Sequence, residues 1–122
     1  MDLYFPKQNR KKRKKHKASI LQHKDGTCFL CMLLDGDYRP KWTEEHHIFY
    51  GSANRALSEA YGLKVYLCSM HHRYAFGNNP DAIHGNPTAS DADLLLKRIA
   101  QRKFEEDHTR EEFVKIFGKN YL

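Results

Sequence analysis

The middle of the chain has an alternation of apolar and polar residues that predicts a β-strand. Leu63, Val65 and Leu67 alternate with Lys64 and Tyr66. Successive side chains of a strand point to opposite faces, so apolar residues at every second position are typical of this element. The predicted strand runs directly into a cysteine at position 68.

Patterns on either side predict a second strand and two helices. Residues 42–50 have the composition of a strand or hairpin arm. Ser52 is a typical N-cap residue, so we predict a short helix over Ala53–Tyr61 that ends at Gly62. A further helix is predicted from Ser69 to Phe76, followed by a loop rich in glycine and asparagine.

The last third of the chain is predicted to be helical. Ser90 and Asp93 resemble a capping box in front of one apolar stripe. Thr109 and Glu112 form a true capping box in front of a second stripe, which ends at Gly118. We expect both helices to pack onto the preceding strands and helices, giving an α+β fold.

Positive charge is concentrated at the N-terminus. Residues 1–17 carry a net charge of +7, whereas residues 18–122 carry −1. Like charges repel, so we predict a disordered basic arm at 1–17 and a single folded domain at 18–122. The arm can act as a solubilising terminus, as a nuclear-localisation signal or as a contact to nucleic-acid phosphates. The residues assigned to the phosphate contact are Arg10, Lys11, Lys12, Arg13, Lys14, Lys15 and Lys17.

The composition also bears on the location of the protein. No apolar run approaches the roughly 20 residues of a membrane-spanning helix, so we predict a soluble protein with no membrane partner. The chain has three cysteines, an odd number, and two of them form a Cys-x-x-Cys pair. This pattern favours metal binding in a reducing compartment over disulfides, so the predicted location is the cytoplasm.

Two ligand pairs predict a structural zinc site. Cys28 and Cys31 form one pair, and Cys68 and His71 form another with the same internal spacing. Together they match a tetrahedral Zn²⁺ site with all four positions filled, which stabilises a fold and leaves no position for a substrate. The alternative is that these residues are ordinary buried thiols and a surface histidine.

The chain has more histidines than one zinc ion needs. Five of the eight lie between residues 46 and 84. Neutral imidazole is both a ligand for divalent metals and a general base near neutral pH. On a strand, the adjacent His46 and His47 would point in opposite directions, so one can bind a metal while the other faces a water. The alternative is that these histidines are spare ligands or hydrogen-bonded structural groups.

These motifs resemble those of the HNH endonuclease family of bacteriophages and bacteria. The resemblance rests on the Glu-His-His-Ile segment at 45–48, the following strand, and the Cys-Ser-Met-His-His-Arg segment at 68–73. It covers residues 28–84, about half of the chain. It implies a treble-clef zinc scaffold that carries a ββα-metal active site.

The resemblance also implies a role for each matching residue. His46 would bind the catalytic divalent ion, and His47 would be the general base that activates water. His72 and His84 would complete the binding of that ion, which is Mg²⁺ or another divalent transition metal in addition to the structural Zn²⁺. The implied partner is double-stranded DNA, and Arg73 can contact a phosphate.

Two positions depart from the family pattern. Gly62 and Leu63 occupy the place of the family's middle asparagine, and Asn54 is the nearest asparagine upstream. Phe76 occupies the place of the last histidine, so His84 can serve there only if the intervening residues form an inserted loop.

The sequence therefore predicts a metal-dependent endonuclease that hydrolyses DNA phosphodiester bonds in a bacterial or phage-infected cell. The alternative is a catalytically inactive zinc module that binds nucleic acid or a protein partner. A third possibility is a factor that works within a larger phage packaging or recombination complex.

Overall fold

The computed structural model describes residues 16–73, 79–85 and 91–122. In these ranges the elements are α1 (Phe29–Asp35), β1 (Thr43–His47), α2 (Ser52–Tyr61), β2 (Lys64–Cys68), α3 (Ser69–His72), α4 (Asp91–Phe104) and α5 (Arg110–Phe117). The prediction of an α+β fold is confirmed, with a two-stranded sheet and five helices among the described residues. None of these helices has both the length and the apolar character needed to cross a bilayer.

The two strands form an antiparallel pair that fixes the positions of the central histidines. His46 lies opposite Val65 and His47 lies opposite Lys64. Because neighbouring residues of a strand face opposite sides, His46 and His47 are directed to different faces of the sheet. This register places the two side chains in two different environments.

Strand β2 is confirmed at Lys64–Cys68, and all five of its residues are buried. The segment that precedes α1 shields part of this strand from solvent. The backbone N–H of Ile20 donates to the carbonyl of Gly62 at 3.0 Å, and the backbone N–H of Tyr66 donates to the side-chain oxygen of Gln22 at 2.8 Å. The alternating pattern is therefore buried on both faces.

Helix α2 differs slightly from its prediction at one end. The helix begins at Ser52 itself, and Gly51 is the N-cap residue, without a side-chain hydrogen bond. The predicted end is confirmed: Gly62 adopts the left-handed conformation, with φ of 69°. Glycine favours this conformation because it has no Cβ to clash with the backbone.

Helix α3 is shorter than the predicted Ser69–Phe76 element. It ends at His72, and Arg73 is extended and forms an isolated β-bridge with His84. The backbone N–H groups of Ile83 and His84 donate to the carbonyls of His71 and His72, each at 2.9 Å. The segment at 83–84 therefore provides hydrogen-bond donors for two backbone carbonyls at the end of α3. Residues 74–76 lie outside the described residues.

The C-terminal helices complete the core. The predicted capping residue of α5 is confirmed, because the backbone N–H of Glu112 donates to the hydroxyl of Thr109 at 3.1 Å, while the carboxylate of Glu112 contacts His108. The ring of Phe49, which follows β1, packs against Phe113 and Phe117 with centroid distances of 5.4 and 4.6 Å. Helix α4 is described from Asp91, while the predicted cap residue Ser90 lies outside the described residues.

Most of the predicted basic arm lies outside the described residues. Arg10, Lys11, Lys12, Arg13, Lys14 and Lys15 are in the segment 1–15, which the description does not cover. Lys17 is described and is exposed to solvent.

Replacement of Gly62 by alanine should destabilise the protein more than the same change at Gly36. Both glycines have positive φ, so each alanine would carry a left-handed strain of about 1–2 kcal/mol. A Cβ at position 62 would also lie 2.6 Å from the carbonyl oxygen of Ala18, whereas at position 36 it would meet nothing within 4 Å. In urea unfolding with zinc present, we expect Gly62→Ala to lose at least about 1 kcal/mol more than Gly36→Ala. Equal losses would contradict the close approach of the N-terminal segment.

Candidate metal centres and the adjoining cleft

The first candidate centre is formed by the four predicted zinc ligands. Cys28 is the N-cap residue of α1 and Cys31 lies in its first turn, while Cys68 ends β2 and His71 lies in α3. Their ligand atoms lie within 4.8 Å of one another, and all four residues are buried. The predicted alternative of a surface histidine is wrong, because His71 is only 5% exposed.

The distances in this cluster match a tetrahedron around a zinc ion. Nδ1 of His71 lies 3.6, 3.4 and 3.3 Å from the sulfurs of Cys28, Cys31 and Cys68. The sulfurs of Cys31 and Cys68 are 3.9 Å apart. Ligands at about 2.3 Å for sulfur and about 2.0 Å for nitrogen are separated by about 3.5–3.8 Å in a tetrahedron. These four residues can therefore hold a zinc ion.

The chemistry of the thiols supports the same assignment. Burial raises the pKa of the Cys28 thiol to about 12, so a thiolate there requires a neighbouring cation. All three cysteines are free, and the Cys31–Cys68 sulfur separation is far too long for a disulfide. The ammonium group of Lys41 donates to the sulfur of Cys31 at 3.0 Å and would support its negative charge when metal is bound.

The second candidate centre consists of three histidines from three parts of the chain. The ring centroids of His46 and His72 are 5.3 Å apart, those of His46 and His84 are 4.9 Å apart, and those of His72 and His84 are 4.8 Å apart. One nitrogen from each ring lies within 4.8 Å of the others. The structure therefore brings the three predicted ligands together. His84 is positioned by its β-bridge with Arg73.

His46 has the features of a metal ligand. Its side chain is 1% exposed, and neither ring nitrogen has a hydrogen-bond partner among the described residues. A buried polar atom without a partner is unfavourable by about 1–3 kcal/mol, which a bound cation would offset. Burial lowers the pKa of His46 well below its usual value, and nearby His84 and His72 lower it further.

The other two histidines are also suited to metal binding. Burial lowers the pKa of His72 and of His84, so both rings are neutral and have a free lone pair. A carboxylate oxygen of Glu44 lies 3.3 Å from Nδ1 of His72, without an aligned hydrogen bond, and can orient that ring. Three imidazoles form a donor set for a divalent transition metal, whereas Mg²⁺ prefers oxygen ligands.

His47 lies in a charged environment on the opposite face of β1. Its Nε2 atom is 2.7 Å from Oε2 of Glu59 and 3.4 Å from Oε1 of Glu45. The ammonium group of Lys64 lies 3.0 and 3.1 Å from the two oxygens of Glu59 and 3.4 Å from Glu45. Although the two carboxylates and His47 have metal-ligand spacing, Lys64 already supplies the positive charge, so we assign no metal to this group.

A cleft at the edge of β1 connects the two histidine environments. It has a volume of 340 Å³. It is lined by Glu44, Glu45, His47, Tyr50, Arg55, His72, Arg73 and His84. The predicted base and two of the predicted metal ligands therefore share one cleft, and His46 lies behind them in ring contact with the other two.

Arg55 and Arg73 bring positive charge to this cleft. Both are exposed, and within the described part of the chain neither has a carboxylate partner. A free guanidinium group can bind a phosphate through two parallel hydrogen bonds. Arg73 was predicted from the sequence, whereas Arg55 was not.

Sequence reasoning also missed Glu59 and Lys64. Lys64 was interpreted as a polar position of an alternating strand, but it is 2% exposed. Once the strand register is known, a lysine opposite a histidine indicates that the two side chains lie on the same face of the sheet and close together. Asn54, the nearest asparagine to the family position, lies in α2 and is not among the residues that line the cleft.

Comparison with known proteins adds no assignment, because no family model, no curated protein and no solved structure matches this chain.

Replacement of Cys28 by alanine should unfold the domain. Structural zinc contributes about 10–16 kcal/mol of binding free energy in zinc-finger peptides, which equals or exceeds the stability of a typical domain, about 5–15 kcal/mol. We expect the variant to lose the cooperative melting transition in circular dichroism and the tightly bound zinc in mass-spectrometric metal analysis. His46→Ala is the control and should keep that zinc. A normal melting curve for Cys28→Ala would refute the structural role.

Proposed function

We propose that this protein is a metal-dependent DNA endonuclease that hydrolyses phosphodiester bonds. The observation that carries the proposal is the arrangement of four histidines about one strand. His46 forms a metal-ligand group with His72 and His84 on one side of β1, while His47 lines the same cleft from the other side.

In this proposal the metal group and His47 have separate tasks. A divalent ion held by His46, His72 and His84 would supply Lewis-acid stabilisation of the charge that develops on the phosphate and on the leaving oxygen. His47 takes a proton from an attacking water, the water oxygen forms a bond to phosphorus, and the bond from phosphorus to the 3′ oxygen breaks. The leaving oxygen takes its proton from solvent.

Two arginines support a nucleic-acid substrate in a cleft that is also lined by Glu44 and Glu45. Arg55 and Arg73 are available for phosphates on either side of the reacting bond. His16, at the start of the described chain, lies 2.7 Å from Glu59, so the basic N-terminal segment joins the domain beside the cleft. Its lysines and arginines would add affinity for DNA without reading its sequence.

We also propose that the scaffold is a treble clef carrying an HNH-type ββα-metal site, as in bacteriophage and bacterial nucleases. Two features support this scaffold. The antiparallel pair β1–β2 leads directly into α3, and the four zinc ligands come from the start of α1 and from the junction of β2 with α3.

A second candidate function is a zinc module that binds nucleic acid or a protein partner without cutting. The observation that favours it is the lack of an asparagine among the described residues of the cleft. Metal analysis separates the two candidates. One tightly bound zinc ion supports the binding module, and an additional exchangeable divalent ion supports the nuclease.

Replacement of His47 by alanine should reduce DNA cleavage to a small residual rate while the fold and the zinc content remain. Loss of a general base lowers a rate by about 10²–10⁴-fold. The measurement is plasmid nicking across magnesium, manganese, nickel and zinc, followed by gel electrophoresis. His23→Ala, an exposed histidine outside the cleft, is the matched control and should cut like the wild type. If His47→Ala nicks the plasmid at the wild-type rate, His47 is not the base.

Replacement of Arg55 or Arg73 by alanine should weaken DNA binding in a salt-dependent manner. Each lost phosphate contact should reduce the slope of log K against log salt concentration by about 0.9. The measurement is fluorescence anisotropy of a labelled DNA duplex over a range of salt concentrations. Arg102→Ala, an exposed arginine on α4, is the control and should leave the slope unchanged. Unchanged slopes for the cleft variants would exclude these phosphate contacts.

A further inference from the structure

One ring nitrogen of His47 is bound to a carboxylate. Nε2 of His47 lies 2.7 Å from Oε2 of Glu59, the closest polar contact described for this ring. Glu59 lies in the last turn of α2, and His47 is the last residue of β1. A helix and a strand that are separated in sequence therefore meet at this hydrogen bond.

Glu59 is itself fixed in position and in charge. Both of its oxygens accept hydrogen bonds from the ammonium group of Lys64, at 3.0 and 3.1 Å, and Lys64 lies directly across the sheet from His47. Partial burial alone would raise the pKa of Glu59, but the hydrogen bonds from His47, Lys64 and His16 lower it to about 2. The group is therefore an ionised carboxylate near neutral pH.

The charge state of Glu59 determines the tautomer of His47. An ionised carboxylate can only accept hydrogen bonds, so Nε2 of His47 must carry a proton. In the neutral ring the other nitrogen, Nδ1, then has the free lone pair. The contact with Glu59 also limits rotation of the ring about its bond to Cβ.

We infer that Glu59, held by Lys64, is the positioning residue that fixes the orientation and tautomer of His47 for proton abstraction. This inference rests on the proposed endonuclease function. A carboxylate that orients a histidine base is a general solution in hydrolytic sites. Here the orienting group comes from α2, the helix that follows the strand carrying the base.

A purely structural ion pair would give a different result from a positioning residue. If Glu59 and Lys64 only stabilise the fold, removal of Glu59 would lower stability and leave the turnover of the folded enzyme unchanged. If Glu59 acts through His47, its removal would lower kcat more than it changes KM. It would have no further effect once His47 is absent, because residues that act as a unit are not additive.

The experiment compares Glu59→Ala, Glu59→Gln, His47→Ala and the double variant Glu59→Ala/His47→Ala. All are assayed at a temperature where circular dichroism shows them folded and zinc-bound. Glu106→Ala and Glu106→Gln are the matched controls, because Glu106 is an exposed carboxylate that pairs with Lys103 at 2.8 Å. The readouts are kcat and KM for cleavage of a DNA duplex, and ¹⁵N NMR of the His47 ring in the zinc-bound protein without the second metal.

We expect Glu59→Ala to lower kcat by about 10- to 100-fold with KM changed less than about twofold. Glu59→Gln should recover part of this loss, because its amide oxygen can still accept the Nε2 proton. The NMR spectrum should show the Nε2-protonated tautomer in the wild type and a mixture of tautomers in Glu59→Ala. In the His47→Ala background, the Glu59 change should have no effect on residual cleavage.

Two results would overturn the inference, and they are distinguishable. Wild-type kcat for folded Glu59→Ala, together with an unchanged His47 spectrum, would leave the nuclease proposal standing and remove the role of Glu59. Absence of cleavage by the wild type with every metal tested would remove the nuclease proposal and, with it, the catalytic role of Glu59.

Discussion

The geometry of one cluster of three thiols and an imidazole, which can hold a metal ion such as zinc, is the constraint on which the rest of this structure depends. The four ligands come from α1, from the end of β2 and from α3. Helix α3 has four residues and could not be stable as an isolated helix. Its position is set by His71, one of the ligands, and by the chain that pairs with its last carbonyls. A zinc ion held by these ligands would therefore fix the wall of the cleft that carries His72.

Strand β1 separates an environment of uncharged rings from an environment of paired charges. On one face, His46 is enclosed with two other neutral imidazoles, and its nitrogens have no described partner. On the other face, His47 belongs to an ion-paired group in which Lys64 supplies the positive charge. The first face can hold a cation, whereas the second already contains the ammonium group of Lys64. This difference explains why adjacent histidines can serve different chemical roles.

Much of the local structure could be predicted from the sequence because it depends on local signals. The end of α2 at Gly62 and the start of α5 at Thr109 follow from glycine geometry and side-chain capping. The zinc ligands follow from their spacing. The early end of α3 could not be predicted, because it results from pairing of Arg73 with His84. The contact of Glu59 with His47 also depends on how α2 packs against β1, and no local pattern specifies that packing.

The adjacency of His71 and His72 joins the two candidate metal centres through one peptide unit. His71 belongs to the cluster with the cysteines, and His72 belongs to the cluster with the other histidines. Any movement of the backbone that releases one ligand also displaces the next. Loss of an ion from the cysteine cluster would therefore also disturb the histidine cluster.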